Sequence, residues 1–276
     1  MPPHPDLPKL RRAVHQSRKY RRVCTPLVER LGNDELHKRP QFKAAVKATK
    51  NKLHQVAGAY LNAPPPYADW LRTLETLPTN APPTNDPRPH LQEMMQAHAS
   101  TRERLPILDI FYTTMLAGVG PVHSVLDVAC GLNPLAVPWM PLQPDTTYTA
   151  IDIYTDMMGF IDAALETFGV QGTGIAHDVG RWLPPDPVDV ALVLKALPCL
   201  DQSETGLAAD VLERLPAQWA VVSYPVASLG GRNRGMVPQY RAQFLELVPP
   251  RWEVVRTEQF TTELAFLLRA KSPPPP

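Results

Sequence analysis

The chain has 276 residues, 44% of them hydrophobic, enough for one large domain or a domain with an appendage. Its three cysteines, Cys24, Cys130 and Cys199, are far apart, odd in number and form no C-x-x-C, which argues against a disulfide framework or a zinc site. The net charge of +1 conceals an asymmetry: residues 1–60 hold 14 Lys+Arg against 4 Asp+Glu, a net of +10, and the remainder holds 14 against 23, a net of −9. A basic segment on an acidic body points to a polyanionic partner, with a solvated helical face as the plain alternative. No stretch has the length and apolarity of a membrane span or a signal peptide, so the chain reads as cytoplasmic.

In chain order, residues 8–60 are predicted helical. Leu10, Val14, Tyr20, Val23 and Leu27 line one side of a first helix, surrounded by Arg11, Arg12, Arg18, Lys19, Arg21 and Arg22. Phe42, Val46, Leu53, Val56 and Tyr60 form a second apolar face, with Lys43, Lys47, Lys50 and Lys52 crowding the other side. Like charges four residues apart, as in Lys43 and Lys47, destabilise an isolated helix mildly and call for neutralisation from outside. Pro64-Pro65-Pro66 ends this unit, a short helix follows over 67–78, and 81–87 reads as a linker. The expected division is a basic helical domain over 1–80 and a second domain over 81–276, ending in a Pro-rich tail at 272–276.

Residues 89–119 suggest two helices meeting near Ser100, where Ser100-Thr101-Arg102-Glu103 has capping-box spacing. Strands are then predicted at 124–128, 147–153, 172–177, 188–194, 219–223, 252–257 and 262–269, with helical patterns between most of them, notably 154–168 and 203–214. This is a βαβ series, hence an α/β fold with a mostly parallel sheet that binds ligands at the carboxyl ends of its strands. The short gap between the last two strands predicts a terminal antiparallel hairpin.

The turn after the first strand carries most of the functional information. Val125-Leu126-Asp127-Val128 runs into Ala129-Cys130-Gly131, small residues that allow a close backbone approach. Asp152 ends the next strand about 20 residues on, where an acidic residue meets ribose hydroxyls. No G-x-G-x-x-G is present, so a pyrophosphate cradle is poorly supported, and a phosphate-free nucleoside such as S-adenosylmethionine fits better. Asp178 ends the third strand and could accept from an adenine amino group, or could be a turn residue. Lys195 ends the fourth strand in the expected cleft. Arg104 suits a ligand carboxylate through its planar fork, or a weak local pair with Glu. Gly230-Gly231-Arg232-Asn233-Arg234-Gly235 has the composition of a phosphate-gripping loop, or of a plain surface loop. His177 and Cys199 lack a positioned third group, so covalent catalysis is not expected.

Together, His98-Ala-Ser-Thr-Arg-Glu-Arg-Leu-Pro106, Asp127-Val-Ala-Cys-Gly-Leu-Asn-Pro134 and Leu194-Lys-Ala-Leu-Pro-Cys-Leu200 resemble motifs of the aminoglycoside-resistance 16S ribosomal RNA (guanine-N7) methyltransferases, from about Arg18 to the C-terminus. Ser228 to Met236 resembles the same family's loop, while Ser203 stands where related enzymes can have Gln. The resemblance implies a Rossmann-like S-adenosylmethionine-dependent methyltransferase fold, with a mostly parallel seven-stranded sheet and an N-terminal helical domain that docks on rRNA. It implies a cofactor shell of Tyr60, His98, Ser100, Arg104, Ala129, Gly131, Asp152, Asp178, Val179, Leu194 and Ser203, with Arg104 on the methionine carboxylate. It implies as partner 16S rRNA within the 30S subunit, met by a monomer without metal or membrane.

Guanine N7 has a free lone pair and no proton to lose, so no general base is expected. Proximity and alignment carry the rate, with the target base unstacked or flipped against an aromatic or apolar wall. Lys195, Arg232 and Arg234 are expected to grip RNA near the reacting base, and the basic helices over 9–22 and 38–52 to neutralise phosphates. A small-molecule N-methyltransferase would leave the basic segment unexplained. A non-catalytic RNA-binding protein would leave Asp152 and Arg104 unexplained.

Overall fold

The structure is a computed structural model and describes residues 2–56, 60–61, 63–76, 86–226 and 236–272. The linker residues 81–85, the loop residues 227–235 with Arg232 and Arg234, and the tail residues 273–276 lie outside the described residues.

Three helices open the chain: α1 (Leu7–His15), α2 (Thr25–Lys38) and α3 (Phe42–Val56). The single first helix expected through Leu27 is two. Pro26 lacks an N–H and its ring would collide with a preceding helical turn, so it sits in the first turn of α2, where a missing donor costs nothing. The residues before it are extended, and Val23 pairs antiparallel with Tyr154. Leu10, Val14, Val28, Leu31 and Leu53 are fully buried in a small core that also meets Ile153, Tyr154 and Ala176 further along the chain. Tyr60, expected to end the third helix's apolar face, lies beyond α3, and its carbonyl accepts from Ala99 N at 3.0 Å.

Helix α4 (Tyr67–Thr76) packs on α8 (Thr155–Thr167), with the Tyr67 ring stacked on Phe160 and Leu74 buried in the core beneath the sheet. Where two helices were predicted there are three, α5 (Arg88–Met95), α6 (Ala99–Arg104) and α7 (Leu108–Met115). Extended backbone at His98 separates the first two, and a tight 3-10 turn containing Pro106 separates the last two. The capping box is absent: Ser100 lies inside α6, and its Oγ meets His98 Nδ1 at 2.9 Å.

Strands β1 (Ser124–Val128), β2 (Thr147–Asp152), β3 (Gln171–Ala176), β4 (Val188–Leu194), β5 (Ala217–Pro225), β6 (Trp252–Gln259) and β7 (Glu263–Ala270) form one sheet. Its order is β3-β2-β1-β4-β5-β7-β6, and β7 runs antiparallel to both of its neighbours. Between β4 and β5 lie α9 (Leu197–Ser203) and α10 (Leu207–Arg214), where one helix was predicted from 203. Gly206, at φ +84°, breaks them apart in a conformation that favours glycine. Helix α11 (Met236–Leu247) precedes the terminal hairpin.

Both sheet faces are covered, so the central strands read as unbroken apolar runs whose side chains alternate between two cores. Val190, Leu192 and Leu194 point to the core shared with α5, α7 and α8, and Ala191 and Val193 to the core shared with α10. The strand order reverses between β1 and β4, which opens a crevice at their carboxyl ends.

Candidate functional site

Two non-glycine residues among those described have positive φ, Ala129 at +53° and Lys195 at +60°. They follow β1 and β4, one on each side of the reversal, and both take a conformation that L-residues adopt at a cost. Gly131, at φ +56°, completes the first turn. A Cβ there would come within 2.6 Å of the His98 ring, so glycine is needed for space as well as for backbone freedom. Asp152 Oδ2 accepts from Gly131 N at 2.9 Å and Oδ1 from Ile153 N at 2.6 Å, which ties the ends of β1 and β2 together. Burial raises the Asp152 pKa against those backbone donors.

These strand ends surround a partly open cavity, about 740 Å³ when the solvent space at its mouth is included. Of the expected shell, Tyr60, His98, Ser100, Ala129, Asp152, Asp178, Val179, Leu194 and Ser203 line it, and Lys195 joins them. The Tyr60 and His98 rings stack with centroids 5.7 Å apart, and Tyr60 Oη lies 2.6 Å from Cys199 Sγ. Burial, followed by the charges of Lys195, Arg104 and Arg102, lowers the His98 pKa to about 3, so the ring is neutral at physiological pH. Cys199 is therefore partnered by a phenol, and His177 packs on Trp182. The structure does not bring these two together as nucleophile and base.

Arg104 and Gly131 are absent from the lining, and Arg104 meets different partners from those expected. Its guanidinium is buried, with NH1 donating to Asn133 Oδ1 at 2.7 Å and NH2 to Glu263 Oε2 at 3.1 Å. Its Nε lies 2.9 Å from Glu263 Oε1 without hydrogen-bond alignment. Burial opposes the Arg104 charge, but Glu263, Tyr112 and Asp127 outweigh it and raise the pKa. Lys195 is likewise not a free RNA grip: its ammonium is buried, 3.0 Å from Glu103 and 3.3 Å from Glu263. The physical reason is common to both, since a buried cation needs a carboxylate and Glu263 serves the two of them. Ser223 Oγ also donates to Glu263, at 2.7 Å.

The network continues beneath the turn. Asn133 donates to Asp127 Oδ2 at 2.9 Å, Tyr148 donates to the same oxygen at 2.7 Å, and Tyr112 donates to Asn133 Oδ1 at 2.5 Å. Glu263, Glu103, Asn133 and Asp127 were not among the residues expected from sequence. None stands in a motif that reveals a distant partner. Arg30 was also missed: from α2 it lines the cavity and pairs with Asp178, which leaves that carboxylate less free for a ligand than expected.

The basic surface divides. Arg12, Arg18, Lys19, Arg21, Lys43 and Lys47 are exposed, Lys50 is half-buried, and Arg22 is exposed with Asp156 at 3.9 Å. Arg11 and Lys52 are instead paired with Glu29 and Glu35 at 2.7 and 3.1 Å, which reduces their capacity to neutralise phosphates. No described helix is long and apolar enough to cross a membrane.

The donor set fits an adenosine better than a phosphorylated nucleotide. Asp152 and Asp178 bring negative charge to the cavity, and Arg30 and Lys195 on its wall are already matched by carboxylates. A pyrophosphate would meet no unpaired cation among these residues.

Two stability measurements test the network. Glu263→Gln leaves Arg104 and Lys195 short of a carboxylate, and denaturation should show a loss of about 3–5 kcal/mol. Asp127 is pushed up to about 6, first by burial, from an ordinary 3.8. Its contribution to stability is complete below the ordinary value and is lost as pH rises through about 6. Denaturation as a function of pH should therefore show wild type losing stability relative to Asp127→Asn across that window. Parallel curves would contradict the assignment.

The sequence matches the family described as Ribosomal RNA methyltransferase (FmrO) over residues 16–267. It is 36% identical over 269 residues to the 16S rRNA (guanine(1405)-N(7))-methyltransferase of Micromonospora echinospora, covering 97% of this chain and 98% of that protein. The protein of the same name from Serratia marcescens is 31% identical over 257 residues, covering 93% and 96%. Among solved structures, the 16S rRNA methyltransferase RmtF in complex with S-adenosyl-L-homocysteine superposes with a TM-score of 0.82 at 29% identity, covering 97% of this chain and 99% of that one. The 16S rRNA methylase RmtB gives 0.80 at 26% identity, covering 98% and 100%.

Proposed function

Because the chain belongs to the FmrO family of ribosomal RNA methyltransferases, we propose that it methylates N7 of a guanine in the decoding A site of 16S rRNA, corresponding to the guanine 1405 of its relatives' names. S-adenosylmethionine is the donor and aminoglycoside resistance the consequence. The observation that carries this reading is the phosphate-averse cavity at the strand reversal, with Asp152 at its edge and a basic helical unit beside it.

When bound, S-adenosylmethionine supplies an electrophilic methyl group on a sulfonium. Asp152, already held by Gly131 and Ile153, keeps acceptor capacity for ribose hydroxyls. Asp178 and Val179, which line the cavity, would hold the purine, while Ala129, Leu194 and Ser203 complete the walls. Gly131 shapes the turn from behind. Arg104 lies behind the lining, and its N–H groups beyond those directed at Asn133 and Glu263 are the ones left for the proposed carboxylate contact. Neutral His98, Ser100 and Tyr60 give an aromatic and hydroxyl-bearing wall free of added charge. N7 needs no deprotonation, so the protein's task is alignment and exclusion of water.

The exposed basic residues of α1, α3 and the turn between α1 and α2 dock on phosphates of 16S rRNA within the 30S subunit. Arg232 and Arg234 approach the target nucleotide. The enzyme acts as a cytoplasmic monomer. Methylation removes a hydrogen-bond acceptor at N7 and adds positive charge where a polycationic drug binds, so drug affinity falls on both counts.

Borohydride–aniline cleavage followed by reverse transcription of 16S rRNA should show a stop at one guanine after 30S subunits react with enzyme and donor. Asp152→Ala should reduce that stop at least about tenfold, or ~1.4 kcal/mol. Methyl transfer confined to small amines would refute the reading. Reversing Lys47 and Lys50 to Glu should weaken 30S binding and flatten its salt dependence, with S-adenosylhomocysteine affinity unchanged in calorimetry. Unaltered 30S binding would remove these lysines from the docking face.

A further inference from the structure

The N-terminal helical unit carries exposed basic side chains, Arg12, Arg18, Lys43 and Lys47 among them. It also closes the cavity, where Leu27 and Arg30 of α2 and Val56 of α3 form part of the lining. The Arg30 side chain is 8% exposed. Its Nε donates to Asp178 Oδ2 at 2.5 Å, its NH2 to Oδ1 at 3.3 Å, and its NH1 to Glu204 Oε2 at 3.1 Å. Asp178 Oδ1 also accepts from Gly180 N at 3.1 Å, so the Arg30 fork holds the loop that carries Asp178 into the cavity wall.

A second joint lies beside Asp152. Cys24 N donates to Ile153 O at 2.7 Å, and Thr155 N donates to Arg22 O at 2.8 Å. The chain between α1 and α2 thereby pairs, through one isolated antiparallel bridge, with the residues that follow Asp152. The helical unit is thus fastened to the loops of both cavity carboxylates, and neither loop can shift without loading a joint to the unit that carries the exposed basic side chains.

We infer that Arg30 is a positioning residue that links RNA docking to cofactor binding, so that each ligand strengthens the other. This rests on the functional reading above. A filled cavity orders the Leu27, Arg30 and Val56 wall, so docking on a unit already held in place sacrifices less freedom. The same factor must appear in the reverse direction, because coupling between two binding events is reciprocal.

The test is a thermodynamic cycle with S-adenosylhomocysteine and purified 30S subunits, in which no reaction occurs. Wild-type affinity for 30S, by filter binding, should rise about fivefold or more when the nucleoside saturates the enzyme. In Arg30→Ala, nucleoside affinity should fall and the enhancement should shrink towards unity. Affinity for 30S without the nucleoside should stay near wild type, because the Arg30 side chain is buried and paired within the protein. A merely structural role would lower both affinities and leave their ratio intact. If Arg30→Ala does not fold, Arg30→Lys keeps the charge, loses the fork and should show the same reduced ratio. A wild-type enhancement of one or less, or a wild-type ratio in the folded variant, overturns the inference. Failure of the wild type to bind 30S at all would instead refute the functional reading.

Discussion

Glu263 sits at the start of β7 with no exposed surface, and Arg104 and Lys195 reach it from α6 and the end of β4. A carboxylate buried without cations would be too costly to keep ionised, and either cation buried without a carboxylate would be equally so. Glu263 therefore depends on the two cations and they on it, with Glu103 sharing Lys195, and three segments far apart in the chain are held at one point beneath the strand reversal. Through Arg104 the same network reaches Asn133, Asp127 and Tyr148, and so supports the turn from which Ala129 and Gly131 face the crevice.

The matching of charges decides what the cavity can hold. With Glu103 included, Arg104 behind the wall and Lys195 on it meet two carboxylates, which leaves Asp152 and Asp178 as the carboxylates of the lining. Arg30 answers Asp178 from the helical unit. The same cations, together with burial, keep His98 neutral, so the aromatic wall adds no charge near a guanine about to become cationic. Under the proposed function, docking, cofactor retention and methyl transfer meet in one set of loops.

Much of this was legible locally. Asp152 ends a strand about 20 residues after the small-residue turn and lines the cavity, and the apolar runs of β1, β4 and β7 announce strands covered on both faces. The terminal hairpin followed from its short connection. Other features were misread for definite reasons. The apolar spacing from Leu10 to Leu27 suits one long helix, but Pro26 cannot continue it, and the chain uses the break to pair Val23 with Tyr154. Ser100 and Glu103 have capping-box spacing, yet Ser100 turns to His98 and Glu103 to Lys195, because a buried ammonium outweighs a surface cap.

The sequence by itself determined the alternation of strands and helices, the position of the ligand-facing strand ends and the concentration of positive charge in the first 60 residues. Each of these depends on neighbours within a few turns or strands, where periodicity and residue type suffice. Only the tertiary structure decided which charges are free. Arg104 and Glu263 are 159 residues apart, and Arg30 and Asp178 are 148 apart. No local pattern encodes such meetings. They arise when packed layers bring segments together and remove the water that would otherwise have solvated each charge alone. The basic count that pointed to RNA thus included Arg30, a residue that the folded chain turns inward to hold the wall of its own cavity.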